Sequence, residues 1–154
     1  MNKPLDNLNL LVRPMLEADL PSVLKIEKAI YAYPWTHGNF FDCLASGYRC
    51  YVLICDGKLI AYAVQMTILD EMHLLNLTVA AVFQKKGVGR YLLESLVSDA
   101  ISFQAVKMIL EVRRFNYAAI FLYESLNFEQ IGLRKNYYPT RDGREDAIVM
   151  EMSL

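Results

Sequence analysis

Fourteen residues, FQKKGVGRYLLESL from Phe83 to Leu96, constrain this chain more than any other stretch. Two lysines, two glycines and an arginine stand directly before a helical run. A helix N-terminus exposes N–H groups without intrahelical partners and carries a partial positive charge. Glycines let the backbone curl so that several N–H groups converge on one anion. The stretch predicts a phosphate or pyrophosphate site, and taken alone it leaves an ordinary loop with a solvated basic rim open as the alternative.

Two common phosphate-binding folds do not fit this stretch. A P-loop needs Gly-Lys-Ser/Thr, whereas Gly89 is followed by Arg90 and Tyr91. A dinucleotide fingerprint needs a third glycine three residues after Gly89, where Leu92 stands. That fingerprint would also lie in the first βαβ unit, not after four predicted strands.

Hydrophobic periodicity and turn residues predict the element order β-α-α-β-β-β-α-β-α-β-β, a mixed α/β fold with helices against one sheet. Asp19 is the expected cap of the first helix, and Pro21 lies in its first turn. Thr36 and Gly47 are expected to begin and end the second helix. The pair Asp56-Gly57 predicts a β-hairpin.

Length and charge narrow the functional class. A chain of 154 residues predicts a single domain, 1–154. A formal net charge of −1 argues against direct nucleic acid binding, and no apolar run reaches the roughly 18 residues of a membrane helix. Cys43, Cys50 and Cys55 lack metal-ligand spacing, and so do His37 and His73, so we expect no metal. Buried thiols and a start without an apolar signal stretch favour a reducing cytoplasm.

The run from Gln84 to Gly89 matches the Gln/Arg-x-x-Gly-x-Gly/Ala acyl-CoA motif, and the chain resembles the GNAT acetyltransferase superfamily. The resemblance implies a GNAT (acyl-CoA N-acyltransferase) fold, a mixed, mostly antiparallel sheet flanked by helices, with acetyl-CoA as cosubstrate. By this resemblance the turn holds the pyrophosphate, the preceding strand splays to meet the pantetheine arm and the thioester carbonyl, and an asparagine bonds that arm. The implied cofactor-binding residues are Leu77, Thr78, Val79, Gln84, Lys85, Lys86, Gly87, Val88, Gly89, Arg90 and Asn116.

Downstream strings narrow the resemblance. LEVRRFNYAAIFLYESLNF and RKNYYPTRDGREDAIVM are similar to the bacterial ribosomal-protein-alanine N-acetyltransferases. This implies acetylation of the N-terminal segment of a small-subunit ribosomal protein. Other protein N-termini, a small amine, or a silent acyl-CoA-binding module remain alternatives. Asn127 stands where this group usually has Gly, and Asn tolerates the left-handed conformation of a helix C-cap.

Glu111 is the candidate proton acceptor. It interrupts the apolar strand MILEV, where a carboxylate is costly unless it has a purpose. An α-amine titrates near 8 and a lysine near 10.4, so the α-amine is the easier acceptor of acetyl, yet its proton still needs a route. The residues alone leave equally open a structural Glu111 at the strand end that accepts hydrogen bonds or pairs with Arg113. The resemblance implies that Glu111 is the base.

Tyr123 is the second candidate catalytic residue. It follows Asn116 by seven residues, so the two should share a helix face. Without the resemblance a core aromatic is the favoured interpretation; the resemblance implies that Tyr123 donates a proton to the departing CoA thiolate. A free phenol is a weaker acid than a thiol, so a hydrogen bond to the thiolate is the other possible role.

Two surface groups are interpreted as contacts for the acceptor peptide. Tyr137, Tyr138 and Pro139 are expected to form the turn between the last two strands, and by resemblance that turn overhangs the acceptor groove. Four acidic residues near turns are expected to be a solvated rim, with attraction of a basic second residue of the substrate as the alternative. These are Asp70, Glu71, Glu145 and Asp146.

Overall fold

The computed structural model describes Leu5 and residues 8–154. Over these residues the chain forms seven strands and four α-helices in the predicted order. They are β1 (Leu10–Pro14), α1 (Leu20–Ile30), α2 (His37–Ala45), β2 (Arg49–Cys55), β3 (Lys58–Ile68), β4 (Glu71–Val79), α3 (Val88–Ser102), β5 (Lys107–Arg113), α4 (Tyr117–Ser125), β6 (Glu129–Thr140) and β7 (Gly143–Ser153). Short 3-10 turns cover Glu17–Asp19 and Ala81–Phe83.

The strands form one sheet in the order β1-β2-β3-β4-β5-β7-β6. The pairs β1–β2, β2–β3, β5–β7 and β6–β7 are antiparallel, whereas β4 and β5 are parallel. The predicted mixed sheet is therefore confirmed. The register between β4 and β5 runs from Glu71↔Lys107 to Leu74↔Leu110, while β4 continues to Val79.

The chain groups into two compact units, and the prediction of one functional domain stays a prediction. The first unit comprises the chain up to Met66 together with Asn76–Leu96. Its core packs α1 and α2 against β2 and β3, with rings in the centre: Phe40 meets Tyr62 edge-on at 5.7 Å between centroids. The other core members are Met15, Leu20, Val23, Cys50, Val52 and Val64.

The turns of the first unit follow the predicted chemistry. Thr36 caps α2 by accepting a hydrogen bond from Asn39 N at 3.1 Å, and Gly47 ends that segment at φ +75°. Asp56 and Gly57 both adopt positive φ, +49° and +82°, in the hairpin between β2 and β3.

Asp19 precedes α1 as predicted, but its carboxylate does not cap that helix. It accepts two hydrogen bonds from the Arg13 guanidinium, both 2.8 Å, and one from Leu16 N, also 2.8 Å. The carboxylate therefore fastens the preceding 3-10 turn to β1. The Arg13 hydrogen bonds are the main reason that the pKa of Asp19 lies below its usual range.

The second unit comprises Thr67–Leu75 and Val97–Leu154. Strand β5 alternates, with Met108, Leu110 and Val112 buried and the residues between them only partly covered. Strand β7 lies between β5 and β6 and buries Ala147 and Met150. Period-two burial of this kind is what places Glu111 on the less covered face of the strand.

The expected turn at Tyr137, Tyr138 and Pro139 is wrong. All three lie inside β6, and Thr140 pairs with Gly143 at the hairpin end. The register of β6 on β7 shifts between Arg134 and Tyr138, a bulge in which Asn136 adopts φ +53°. Sequence patterns do not resolve such a bulge, because aromatic residues and Asn fit both a turn and a bulged strand.

The cysteines are free thiols as predicted, with Cys50 and Cys55 buried and Cys43 partly covered. Burial raises the pKa of Cys50 to about 12.

Within the described residues, no helix has the length and apolar character needed to cross a membrane.

Replacing Asp19 with Asn should lower stability at pH 7 by about 1 kcal/mol, because hydrogen bonds between charged groups are lost. The folded pKa of Asp19 is depressed, so its contribution is present above the unfolded pKa and disappears as pH falls through the folded pKa. The urea midpoints of wild type and Asp19→Asn, measured at pH 7, 5 and 3, should therefore become equal at the lowest pH. Glu17→Gln, an exposed change in the same turn, is the control. Equal midpoints for wild type and Asp19→Asn at pH 7 would contradict the assignment.

Candidate functional site

The predicted anion loop is built by left-handed backbone directly before α3. Lys85 and Gly87 adopt φ +60° and +84°. Gly87 O accepts the first helical bond from Tyr91 N at 3.0 Å, and Val88, 1% exposed, anchors the helix start in the core. The exposed loop therefore presents its backbone at a helix N-terminus, where N–H groups and the helix dipole favour an anion.

Gln84 connects this loop to the preceding strand. Its side-chain Nε2 donates to Val79 O at 3.0 Å, which ties the loop to the end of β4. Leu77, Thr78 and Val79 are the last residues of β4 and lie beyond the segment in register with β5. Of the three, Thr78 is 3% exposed, so its hydroxyl belongs to the interior.

The cations of the loop are exposed. Lys86 Nζ lies 5.8 Å from the centroid of the Phe83 ring, and Arg90 Nε pairs with Glu94 at 3.2 Å one helical turn away. Exposed pairs of this kind are weak and readily exchanged for another anion. Lys85, Lys86 and Arg90 can therefore supply positive charge around the loop, while Gly89 lies in the first turn of α3.

Glycine at position 87 suits the backbone conformation of this loop. At φ +84° a side chain on residue 87 would be strained, and its Cβ would come within 3.4 Å of Leu5 Cδ1. The bare backbone is thus required by the conformation, and it leaves the N–H groups accessible to phosphate oxygens.

In the second unit, the Glu111 carboxylate faces a guanidinium. Arg134 Nε lies 2.8 Å from Glu111 Oε1, with the two side chains 57% and 25% exposed. The expected pair with Arg113 is wrong, because Arg113 Nη1 pairs instead with Glu145 Oε1 at 3.2 Å. The other form of the structural alternative, a strand-end carboxylate that accepts hydrogen bonds, agrees with the contacts from Arg134 and Tyr137. Glu111 is thus held by an exposed arginine that solvent can reach.

Strand register explains this pairing. Glu111 lies opposite Val149 on β7, and Val149 lies opposite Gly132 on β6. Two residues further along β7, on the same face, Ala147 stands between Arg113 and Arg134. Arg134 is therefore diagonal to Glu111 on the same face, and no large side chain at 132 or 147 separates them.

Two tyrosines in the β6 bulge surround the same carboxylate. Tyr137 shares a hydrogen bond with Glu111, which is the main reason that the pKa of Tyr137 is raised. Burial is the main reason that the pKa of Tyr138 is raised, and the Glu111 charge adds to it. The rings meet edge-on at 4.9 Å, and the Arg113 guanidinium lies 4.5 Å from the Tyr138 ring centroid. Both phenols therefore stay protonated at neutral pH.

Tyr123 is held by the end of α4. Asn127 adopts φ +71°, as predicted for a left-handed C-cap. Phe128 N donates to Tyr123 O at 3.0 Å and Asn127 N donates to Glu124 O at 3.0 Å, the two bonds of a Schellman motif. The rings of Tyr123 and Phe128 lie 5.7 Å apart. Tyr123, 8% exposed, is thereby fixed through both its backbone and its ring.

Asn116 lies at the opposite end of α4, where it is the N-cap. Its Oδ1 accepts from Ala119 N at 3.3 Å. The side chain is exposed, so its amide can also meet a ligand. The structure therefore gives Asn116 a capping role that the sequence analysis missed.

Most of the acidic rim is paired with basic side chains of the protein itself, and attraction of a basic substrate residue stays a prediction. Glu145 pairs with Arg113, and Asp146 pairs with Arg114 at 3.4 Å. Glu71 pairs with Lys107 at 3.4 Å and contacts His73 at 3.0 Å. Three of the four carboxylates are thus partly neutralised by the protein itself.

The described residues contain no group of three or more His, Cys, Asp or Glu side chains that could hold a metal ion.

Comparison with known proteins gives consistent similarities. The acetyltransferase (GNAT) family model matches residues 20–128. The [ribosomal protein bS18]-alanine N-acetyltransferase of Salmonella typhimurium is 42% identical over 88% of this chain and 92% of its own length. The crystal structure of the ribosomal-protein-S18-alanine N-acetyltransferase from Escherichia coli has a TM-score of 0.88 at 40% identity, covering 94% of this chain and 93% of that one. A putative acetyltransferase from Salmonella typhimurium, solved with its cofactor acetyl-CoA, has a TM-score of 0.78 with 94% of each chain covered; at 21% identity it shows likeness of fold alone.

Proposed function

Because this chain belongs to the acetyltransferase (GNAT) family, we propose that it transfers the acetyl group of acetyl-CoA to the α-amine of the N-terminal alanine of ribosomal protein bS18. The observation that carries the proposal is 42% identity over nearly the full length of an enzyme of that name. Residues 1–154 would act as one acetyltransferase domain, and a ribosomal protein substrate supports a cytoplasmic location for the reaction.

The loop before α3 is proposed to bind the pyrophosphate of acetyl-CoA. The backbone around Gly87 would face the phosphate oxygens, and Lys85, Lys86 and Arg90 would balance their charge. When bound, acetyl-CoA supplies an acetyl group activated as a thioester. Leu77, Thr78 and Val79 would lie along the pantetheine arm, and Asn116 would bond to it.

Glu111 is proposed to take the proton of the α-amine. Its contact with Arg134 is partly exposed, so an incoming ammonium can compete for the carboxylate. Tyr137 holds the same carboxylate by a hydrogen bond, which limits its rotation while the exchange takes place. The carboxylate then accepts a proton from the ammonium, and the neutral amine that results has the lone pair needed for attack.

Tyr123 is proposed to stabilise the departing sulfur. The Schellman motif fixes its backbone and the Phe128 ring packs against its own ring, so the phenol need not be ordered during the reaction. Either a hydrogen bond to the thiolate or transfer of the phenolic proton fulfils this role.

Saturating acetyl-CoA should raise the melting temperature. A hundredfold excess over Kd corresponds to about 2.7 kcal/mol. Gly87→Ala should abolish this shift, since a side chain there strains the loop and covers its backbone. Gly57→Ala is the matched control: its φ, +82°, is nearly that of Gly87, and nothing lies within 4 Å of the added carbon. No shift in the wild-type protein would reject the cofactor assignment; equal loss in both variants would reject the role of the loop.

Glu111→Gln should lower kcat by roughly two to four decades, the usual worth of a general base, with acetyl-CoA affinity largely retained. Steady-state kinetics and a thermal shift with acetyl-CoA separate the two effects. Glu145→Gln removes another carboxylate paired with an arginine, and it should cost far less activity. Wild-type turnover in Glu111→Gln would show that this carboxylate is structural.

A peptide beginning Ala-Arg should be acetylated once, at its first nitrogen. A lysine holds its proton about two and a half pKa units more tightly, worth roughly 3 kcal/mol, which one carboxylate is poorly suited to offset. Mass spectrometry of the free peptide, and of a blocked peptide with an internal Lys, gives the site. Equal rates for the two would mean that lysine side chains are acceptors. Acetyl-CoA binding without reaction of either peptide would point to a different acceptor.

A further inference from the structure

Helix α1 carries a carboxylate where its pattern calls for an apolar residue. Leu20 and Val23 are fully buried, and Glu27, one turn further along the same stripe, is only 1% exposed. Burying a charge is costly unless hydrogen bonds replace its water. The carboxylate therefore has to be satisfied by the protein around it.

Three donors converge on Glu27. Tyr62 donates to Oε1 at 2.6 Å, Asn76 Nδ2 donates to Oε1 at 3.2 Å, and Trp35 N donates to Oε2 at 2.9 Å. They belong to β3, β4 and the loop between α1 and α2. The donors are neutral, so hydrogen bonding and not ion pairing holds this charge.

Beyond Asn76 the network continues through further hydrogen bonds, all with the same donor-to-acceptor sense. Thr78 Oγ1 donates to Asn76 Oδ1 at 2.7 Å, which uses its only hydrogen. Tyr31 must then be the donor in its 2.8 Å contact with Thr78 Oγ1. Every bond in the chain Tyr31–Thr78–Asn76–Glu27 thus points toward the carboxylate. Glu27 fixes which way the Asn76 amide, and with it the Thr78 hydroxyl, is turned.

The network joins two segments next to the proposed chemistry. Thr78 lies in the part of β4 assigned to the pantetheine arm and thioester. Tyr31 and Trp35 lie in the loop 31–36, whose Tyr31 and Tyr33 rings are 37% and 48% exposed. The buried carboxylate holds this loop through Trp35 N and, by way of Thr78, through the Tyr31 hydroxyl.

We infer that Glu27 is a positioning residue for acetyl transfer, which clamps the loop 31–36 to the strand end at Thr78. The inference rests on the proposed function. Glu27 touches neither substrate; it sets the geometry of the groups beside the thioester, much as a second layer of hydrogen bonds orients reacting side chains elsewhere.

Glu27→Gln tests this with no change of shape. An amide has one acceptor oxygen and one donor nitrogen, so in either orientation its N–H groups face another donor. At a temperature where the variant is folded, kcat for the alanine peptide should fall roughly tenfold or more, with the Kd of acetyl-CoA within about threefold of wild type. Amide exchange at Trp35 should become roughly tenfold faster or more.

Tyr62→Phe is the comparison variant: it removes the shortest bond to Glu27 and the Tyr62 contact with Thr78, and it leaves the bond to Trp35 N. It should lower the melting temperature, keep wild-type Trp35 exchange and lose less kcat than Glu27→Gln. If Glu27→Gln, folded and with faster Trp35 exchange, retains wild-type kcat, the residue is structural and the inference is wrong. If Tyr62→Phe loses as much kcat as Glu27→Gln, the specific role of the loop contact is also wrong.

The two proposals fail in different ways. A wild-type protein that binds acetyl-CoA but leaves the alanine peptide unmodified would contradict the proposed function. The exchange comparison between Glu27→Gln and Tyr62→Phe uses no substrate. Unchanged Trp35 exchange in Glu27→Gln would therefore overturn the clamp, whatever the activity.

Discussion

A buried carboxylate that must be hydrogen-bonded is the constraint on which much of the first unit depends. Glu27 takes a core position on α1 and recruits donors from two strands and a loop. Loss of one partner from such a network costs much stability, because a buried polar group is left unpaired, whereas the complete network is rigid. A leucine in its place would make a simpler core, but it would leave the loop 31–36 without its anchor.

A similar device recurs in the loop before α3 and in the β6 bulge: a residue in left-handed conformation sets the backbone, and a second contact holds it in place. Gly87 turns the chain into α3, and Gln84 ties that turn to Val79. Asn136 opens the bulge in β6, with its N–H bonded to Asp146 at 2.9 Å. The left-handed residues thus lie in turns and in the bulge, while Glu111 and Tyr123 themselves lie on the regular elements β5 and α4.

Patterns within the sequence predicted the order of elements, because apolar spacing and turn residues act locally. Asn127 shows the same locality, since the left-handed cap requires only that residue to tolerate its conformation. The Arg134–Glu111 pair could not be predicted from the sequence, because it depends on the register between three strands and β6 shifts register twice. Glu27 was missed for another reason, because a helical glutamate is ordinarily on the surface. Asp19 was located correctly, yet its distant partner Arg13 decided its role.

Fewer residue types can replace Asn127 than its exposed position suggests. An exposed helix end usually accepts most residues with little effect. A β-branched residue at φ +71° would instead strain the backbone and open the turn. That turn joins Tyr123 to Phe128, so the cost would appear as a displaced phenol and not only as lost stability. Homologous chains should therefore alternate among glycine, asparagine and aspartate at this position, or reorganise the end of the helix as a whole.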